Sequence, residues 1–280
     1  MRAIFHWSSI VCLLVLLTPS AQAELRPKWE YGLGLAVLEL PDYPGSDESA
    51  TYLAPYPYIE YHGTSVRISR EGIQRQLLAR DRLKLDFSLG ASAPVKSSDN
   101  NARQGMDDID PLLEIGPSLR FDLSSQISEK EGWYLELPLR AVFSIDLSDF
   151  RQRGWILHPQ LRYSSQIATA GAPINWDLSV GPVYATADYH NHILGVESRF
   201  ASADRPTYQT GGGFSGSRIS LVFNNRLDSE WLLGGFVRLD HSSGAVWSDS
   251  PLVKRDHTLM MGIALTWIFG ISDSIASPRD

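Results

Sequence analysis

The chain has 280 residues, with 25 Lys and Arg against 32 Asp and Glu and a formal net charge of −7. This acidic balance argues against nucleic acid or an anionic membrane surface as the main partner, because both attract basic chains. The single cysteine, Cys12, lies in the N-terminal apolar run. The rest of the chain can therefore form neither a disulfide nor a thiolate metal site.

The first 23 residues have the pattern of a secretory signal peptide. Arg2 precedes a short apolar run from Ile10 to Leu17, and Ala21-Gln22-Ala23 forms a small-residue cleavage site before Glu24. The run is shorter than the roughly 20 residues that a membrane-spanning helix needs. We therefore expect export and cleavage between Ala23 and Glu24.

After this signal, apolar and polar residues alternate in segment after segment, which is typical of β-strands with two different faces. The last segment, His257 to Phe269, shows the pattern best. One of its faces is entirely apolar and ends in Trp267 and Phe269, a barrel-closing pair, while the other face is mostly small. The pattern predicts strands at 29–38, 51–61, 64–70, 73–79, 83–92, 112–124, 133–147, 155–167, 174–186, 216–227, 231–240 and 257–269.

The connections between these strands fall into two classes. The longer ones are 39–50, 93–111, 187–215 and 241–256, and the acidic, non-periodic stretch from Ser97 to Pro111 predicts a long exposed loop. The shorter ones are 62–63, 80–82, 125–132, 168–173 and 228–230. Long loops outside and short turns in the periplasm are typical of outer-membrane barrels, which places both termini in the periplasm.

Alternation alone does not distinguish a membrane barrel from a soluble sandwich, since both have one apolar face. The strands are long enough for tilted membrane crossing, which needs about 9–11 residues. Their number is even, as bacterial single-chain barrels require. Tryptophans near strand ends on the apolar face suit a membrane interface. We predict an all-β fold: a transmembrane antiparallel β-barrel of about 12 strands at 24–269, followed by a periplasmic tail at 270–280.

The polar faces of the strands carry charges of both signs, which a water-filled lumen tolerates. One interpretation is a selective pore, or a plugged cavity that binds an ion or a sugar. The other, which we favour, is a cross-strand salt-bridge network that stiffens the wall of a narrow barrel. The residues concerned are Glu114, Arg120, Glu136, Arg140, His158, Arg162, Asp177, Arg218 and Arg238.

Motifs for catalysis, cofactors and metals are weak. Neither G-x-S-x-G nor H-E-x-x-H occurs in the chain. His158 and Ser164 share one face but lie about 20 Å apart along a strand, while Ser/His pairs across strands stay open. Asp188-Tyr189-His190-Asn191-His192 places three metal-ligand types on one side of an extended strand, but a polar surface loop is the favoured interpretation. We expect no catalytic residue, no metal site and no cofactor.

Two short motifs and the closing strand resemble the MipA/OmpV family of MltA-interacting outer-membrane proteins. The motifs are Tyr43-Pro44-Gly45-Ser46 and Ser250-Pro251-Leu252-Val253, and the strand ends in Thr266-Trp267-Ile268-Phe269. The resemblance implies an outer-membrane barrel of a Gram-negative cell and a scaffold that joins a lytic transglycosylase to a murein synthase. Family members usually end at the final aromatic residue, whereas eleven residues follow Phe269 here.

Two hypotheses of function follow. In both, outer-membrane lipids surround the barrel. The first, implied by the resemblance, is the peptidoglycan-enzyme scaffold, with contacts through Ser125 to Gly132 and the tail Gly270 to Asp280. The second is a small pore or an outward-facing solute-binding protein that uses the loops 39–50, 93–111 and 187–215. The sequence identifies neither the solute nor the protein partners.

Overall fold

The computed structural model describes residues 27–62, 66–69, 72–75, 82–124, 131–146 and 149–272; the predicted signal peptide at 1–23 and tail residues 273–280 lie outside them. The strands are β1 (Trp29–Pro41), β2 (Ser49–His62), β3 (Val66–Ser69), β4 (Gly72–Arg75), β5 (Leu83–Ser92), β6 (Leu112–Asp122), β7 (Gly132–Asp146), β8 (Asp149–Leu157), β9 (Gln160–Ile167), β10 (Ile174–Ala185), β11 (Gly213–Arg226), β12 (Trp231–His241) and β13 (His257–Ile271). An α-helix, α1, spans Ala187–Leu194.

The strands form one antiparallel sheet that curves into a barrel and brings its two edge strands side by side. β1 pairs with its neighbour β2 on one side and with the last strand, β13, on the other. The two ends of the hydrogen-bonded order are β4 and β5, which are consecutive and lie side by side. β8 and β9 occupy one position between β7 and β10, so the described strands fill twelve positions around the barrel. The predicted all-β barrel is therefore confirmed.

The position shared by β8 and β9 corrects one predicted strand. A single strand was expected at 155–167, but the structure begins at Asp149 and breaks at His158-Pro159. Pro159 has no N–H to offer the ladder. The early part was missed because Gly154, at φ +119°, sits in a bulge that shifts the pairing with β7. The alternation before a bulge is out of phase with the alternation after it.

The outer face of the barrel is apolar and exposed. Along β1, the side chains of Tyr31, Leu33, Leu35 and Val37 are between 46% and 56% exposed. The paired strand β13 continues this surface, with Ile263 at 52% and Phe269 at 54%. Soluble monomers rarely expose contiguous apolar patches above a few hundred Å². The outer face therefore fits an environment of lipid. In the part of the chain that is described, no helix is both long and apolar enough to cross a membrane.

Both ends of the described chain meet at one rim, which we name the terminal end. The Trp29 N–H donates to Ser272 Oγ at 3.1 Å, and the Ser272 N–H donates to the Trp29 carbonyl at 3.0 Å. The ring centroids of Trp267 and Phe269 lie 5.2 Å apart near the same rim. Aromatic side chains there suit the membrane interface. Further tryptophans at the start of strands on this rim are Trp133, Trp176 and Trp231.

The opposite end is closed by a cap, defined as residues 42–48, 93–111, 186–212 and 242–256. The cap has its own hydrophobic core, with Leu194, Trp247 and Leu252 at most 2% exposed. The long exposed loop predicted at Ser97 to Pro111 is exposed only in part, since Ser97, Asn100 and Arg103 within it are buried. The favoured interpretation of 188–192 as a polar surface loop is also wrong, because these residues lie in α1, where His190 is buried.

Small inward residues make room for large ones inside the barrel. A Cβ on Gly34 of β1 would lie 2.1 Å from the ring of Tyr56, which crosses over it from β2. The Tyr56 hydroxyl then lies 2.6 Å from Thr266 Oγ1 of β13. The glycines that alternate with apolar residues in β1 thus allow side chains to fill the lumen, in agreement with the small interior of a barrel of this size.

Leu35→Arg tests the lipid contact of the outer face. Leu35 lies in the middle of β1, where an arginine should cost about 2–4 kcal/mol of folding free energy in a bilayer. The measurement is reversible unfolding by denaturant in lipid vesicles, read by gel mobility with and without heating. Ile271→Arg, at the terminal end of the same face, is the matched control and should cost about 0–1 kcal/mol. Equal effects of the two changes would contradict the lipid assignment.

Candidate functional site at the capped end of the barrel

The lumen near the terminal end is braced by an ion-pair network. Arg162 of β9 contacts Glu136 of β7 at 2.7 Å and Asp177 of β10 at 2.8 Å. The Tyr134 hydroxyl donates to Asp177 at 2.8 Å, and the Arg120 guanidinium lies 3.7 Å from the centre of the Tyr134 ring. The network joins four neighbouring strand positions. Each charge in it has a partner, as a region with little water requires.

A second cluster lies closer to the cap. Arg140 Nε is 3.0 Å from Glu114 Oε2. Arg218 of β11 and Arg238 of β12 both bind the carboxylate of Asp240, which the sequence analysis did not single out. His158, at the break between β8 and β9, is 5% exposed, and its Nε2 has no hydrogen-bond partner in the described structure. The structure thus brings five of the predicted lumen residues to one level of the barrel.

The two motifs of the family resemblance contact each other inside the cap. The buried Tyr43 hydroxyl donates to the Leu252 carbonyl at 3.0 Å, and burial raises the pKa of Tyr43 to about 12, so it stays a donor. The Gly45 carbonyl accepts the Lys254 N–H at 2.7 Å. Gly45 has φ +87°, a backbone conformation that favours glycine. Ser250 Oγ donates to the Leu194 carbonyl at 2.8 Å and ties the pair of motifs to α1. Pro44, Ser46, Pro251 and Val253 complete the two motifs.

Two buried polar side chains that the sequence analysis missed connect the cap segments. Asn100 Nδ2 donates to Asp42 at 2.7 Å and to Ser46 at 3.2 Å. Arg103 donates to the Ile193 carbonyl at 2.8 Å and the Asp107 carbonyl at 3.0 Å, and burial lowers its pKa. Both residues lie in a polar segment without periodicity, and no signal in the sequence distinguishes a buried polar residue there from an exposed one.

A Ser/His pair across elements, which the sequence left open, occurs at the top of β11. His190 Nε2 lies 3.0 Å from Ser215 Oγ, and His190 Nδ1 lies 3.0 Å from the Gly211 carbonyl. The carbonyl fixes the proton on Nδ1, so Nε2 accepts from the serine. The Trp247 indole N–H donates to the same hydroxyl at 3.0 Å. The serine oxygen is thereby engaged on both sides, and the trio locks α1 and Trp247 onto the barrel wall.

The metal-ligand pattern at 188–192 does not form a cluster. The helix turns His190 toward Ser215 and leaves His192 with a buried, unpartnered Nε2. Nowhere among residues 27–62, 66–69, 72–75, 82–124, 131–146 and 149–272 do three His, Cys, Asp or Glu side chains come close enough to hold a metal ion.

A cavity of about 140 Å³ lies between the cap and the second charge cluster. Its apolar lining comes from the cap and the upper wall, and includes Tyr43, Leu112, Val183, Ile193 and Trp247. Its polar lining includes Arg218, Arg238 and Asp240. The cavity is therefore amphipathic, with apolar and charged surfaces on different sides.

The closed sheet, the apolar outer face and the charged, filled interior define an outer-membrane β-barrel protein. The family model described as MltA-interacting protein MipA matches residues 33–269. The chain belongs to the MipA family. A search of the curated proteins finds no match.

Solved structures with a weak overall similarity to this chain include a channel and an outer membrane protein. The CymD monoaromatic hydrocarbon channel is 12% identical, with 89% of this chain and 68% of that chain covered and a TM-score of 0.28. The outer membrane protein OprG from Pseudomonas aeruginosa is 11% identical, with 87% and 94% covered and a TM-score of 0.23. A Pseudomonas aeruginosa FadL homologue is 6% identical, with 86% and 89% covered and a TM-score of 0.29. At these identities and TM-scores, the similarity gives no information about what this chain binds.

The structure of the lumen indicates that the barrel does not conduct ions. Ion pairs and tyrosines project from the wall into the lumen at the level of Arg162, and the packed cap covers its other end. We expect the refolded protein to show no steady openings in a planar bilayer, with heat-modifiable gel mobility as the check of folding. Steady ion-selective openings that change when Arg162 is replaced by Gln would contradict this prediction and favour a pore.

The cap should loosen in acid because of His192. Burial, aided by the nearby cations Arg153 and Arg103, lowers the pKa of His192 from 6.5 to about 4. Above pH 6.5 the closed cap keeps its full stability. As the pH falls from 6.5 to about 4, His192 becomes protonated in the opened cap but stays neutral in the closed cap. This difference favours opening by at most about 3 kcal/mol.

Hydrogen exchange of α1 at neutral and acidic pH measures this opening. In the His192→Gln variant the acid-induced increase in exchange should shrink, because glutamine does not titrate. Carboxylates of the cap titrate in both proteins, so the difference between the two isolates the histidine. An unchanged pH response in the variant would show that His192 does not control the cap.

Proposed function

We propose that this protein is a non-conducting outer-membrane scaffold that binds a lytic transglycosylase in the periplasm, with a murein synthase in the same assembly. The observation that carries the proposal is membership of a family described as MltA-interacting, over residues 33–269. The charged lumen supports it, because paired charges and a packed cap suit a rigid anchor better than a channel.

We further propose that the cap faces the outside and the terminal end faces the periplasm, after cleavage of the signal between Ala23 and Glu24. The described connections at the terminal end are short, at 168–173 and 227–230. Short periplasmic turns and longer outer loops are the rule in such barrels. The partner enzymes then meet the terminal end, and we propose that they contact the segment Ser125 to Gly132 and the tail Gly270 to Asp280.

Trimming these segments tests the scaffold. In the trimmed variant, 125–131 is replaced by an Asn-Gly turn and the chain stops after Ser272, so that β6, β7 and β13 stay intact. The full mature protein in detergent should retain a purified lytic transglycosylase on an affinity resin, and the trimmed variant should lose most of this retention. Heat-modifiable gel mobility verifies that both barrels are folded.

The control variant changes the exposed cap residues Glu197 and Arg199 to Ala and should bind like the original protein. If the folded original protein retains no transglycosylase, the scaffold proposal is wrong. If the trimmed and original proteins retain it equally, the terminal end is not the contact surface and the proposed orientation of the site is wrong.

A further inference from the structure

We propose that the cavity beneath the cap is a binding site for a small carboxylate with an apolar body, such as an aromatic acid of the size of benzoate. The proposal concerns the opposite end of the barrel from the enzyme-binding surface and does not depend on it. It rests on three observations: the arrangement of hydrogen-bond donors at the cavity floor, the pairing of the other charges there, and the size and lining of the cavity.

The floor of the cavity, formed by Arg218, Arg238 and Asp240, has more hydrogen-bond donors than acceptors. Asp240 accepts from four N–H groups, Nε and Nη2 of Arg218 and Nε and Nη2 of Arg238, and the Arg238 Nε–H is shared between its two oxygens. Its two oxygens are thereby occupied. The Nη1 groups of both arginines have no hydrogen-bond partner anywhere in the described structure, and the two side chains are 18% and 25% exposed. Two guanidinium groups that share one carboxylate leave N–H donors and one positive charge for an incoming anion.

The other acidic groups that line the cavity are already engaged. Glu114 is ion-paired with Arg140 at 3.0 Å. Asp42 accepts from Asn100 Nδ2 at 2.7 Å. Neither carboxylate is hydrogen-bonded to the arginines of the floor, which lie on β11 and β12, and the three cations Arg140, Arg218 and Arg238 exceed the two carboxylates Glu114 and Asp240 by one positive charge. A planar carboxylate matches the fork of a guanidinium in geometry as well as in charge.

The cap side of the cavity determines that the rest of the ligand, beyond its carboxylate, must be apolar. Above the arginines the lining is apolar and aromatic, with Tyr43, Leu112, Val183, Ile193 and Trp247. A cavity of about 140 Å³ is close to the size that holds one benzene ring in an apolar protein interior. A single ring can thus pack under the cap while its carboxylate reaches Arg218 and Arg238. A long acyl chain or an oligosaccharide exceeds this volume.

Fluorine NMR of 4-fluorobenzoate with the full mature protein in detergent near neutral pH tests the site. We expect saturable line broadening, with 4-fluorobenzamide binding at least about tenfold more weakly because it lacks the charge. Arg238→Gln should also weaken binding at least about tenfold, since Arg218 and Asp240 then form a neutral pair. Arg199→Gln, the same change on the exposed surface of the cap, is the matched control and should leave the affinity unchanged.

Three results would overturn the proposal: no saturable binding to the folded protein beyond that of empty micelles, equal binding of the acid and the amide, or unchanged binding in Arg238→Gln. If Arg238→Gln does not fold, Val183→Phe decides, because its ring fills the cavity from β10 without altering a charge. Loss of binding in that folded variant supports the site, and retention places the probe elsewhere. The transglycosylase retention assay is independent, so either proposal can fail alone.

Discussion

The closure of the sheet is the constraint on which the rest of this structure depends. In the hydrocarbon of a bilayer no water satisfies a backbone N–H or C=O, so a strand edge facing lipid is excluded. Here β1 and β13 form the seam that joins the two ends of the chain, with a register that runs from Glu30 and Ile271 to Glu39 and Met261. Closure around twelve strand positions makes the lumen narrow, and the narrow lumen requires small inward residues such as Gly34 beside large ones such as Tyr56.

A narrow lumen also decides how charges are arranged, because screening by water is weak there. Near the terminal end, Arg162 lies between two carboxylates, Glu136 and Asp177, and Tyr134 donates a further hydrogen bond to Asp177. Near the cap the ratio is reversed, since Arg218 and Arg238 share Asp240. The first arrangement stiffens a wall. The second keeps donors unused beside a cavity, which is the arrangement of a binding site rather than of a brace.

The membrane part of the fold was predictable because lipid outside and polar groups inside impose a period of two on every strand. Strands such as 83–92, 174–186 and 231–240 were predicted to within a residue. Prediction failed where the period is interrupted, at the bulge of Gly154. It also failed throughout the cap, whose core is assembled from single apolar residues of separate loops, such as Ile109 and Trp247. The lumen charges could be placed on a face, but their pairing depends on strand register, which the sequence does not reveal.

The two family motifs lie in the cap, whereas the proposed contact with a partner enzyme is at the terminal end. Tyr43 and Gly45 bind the backbone of the 250–255 segment, so the motifs specify how the cap closes. They lie at the opposite end of the barrel from the turns proposed to meet the transglycosylase. A chain can therefore keep the whole signature and differ in its partner, because the residues that hold the cap together do not form the terminal end. The two motifs thus identify the architecture of the cap, and they leave the residues of the terminal turns unspecified.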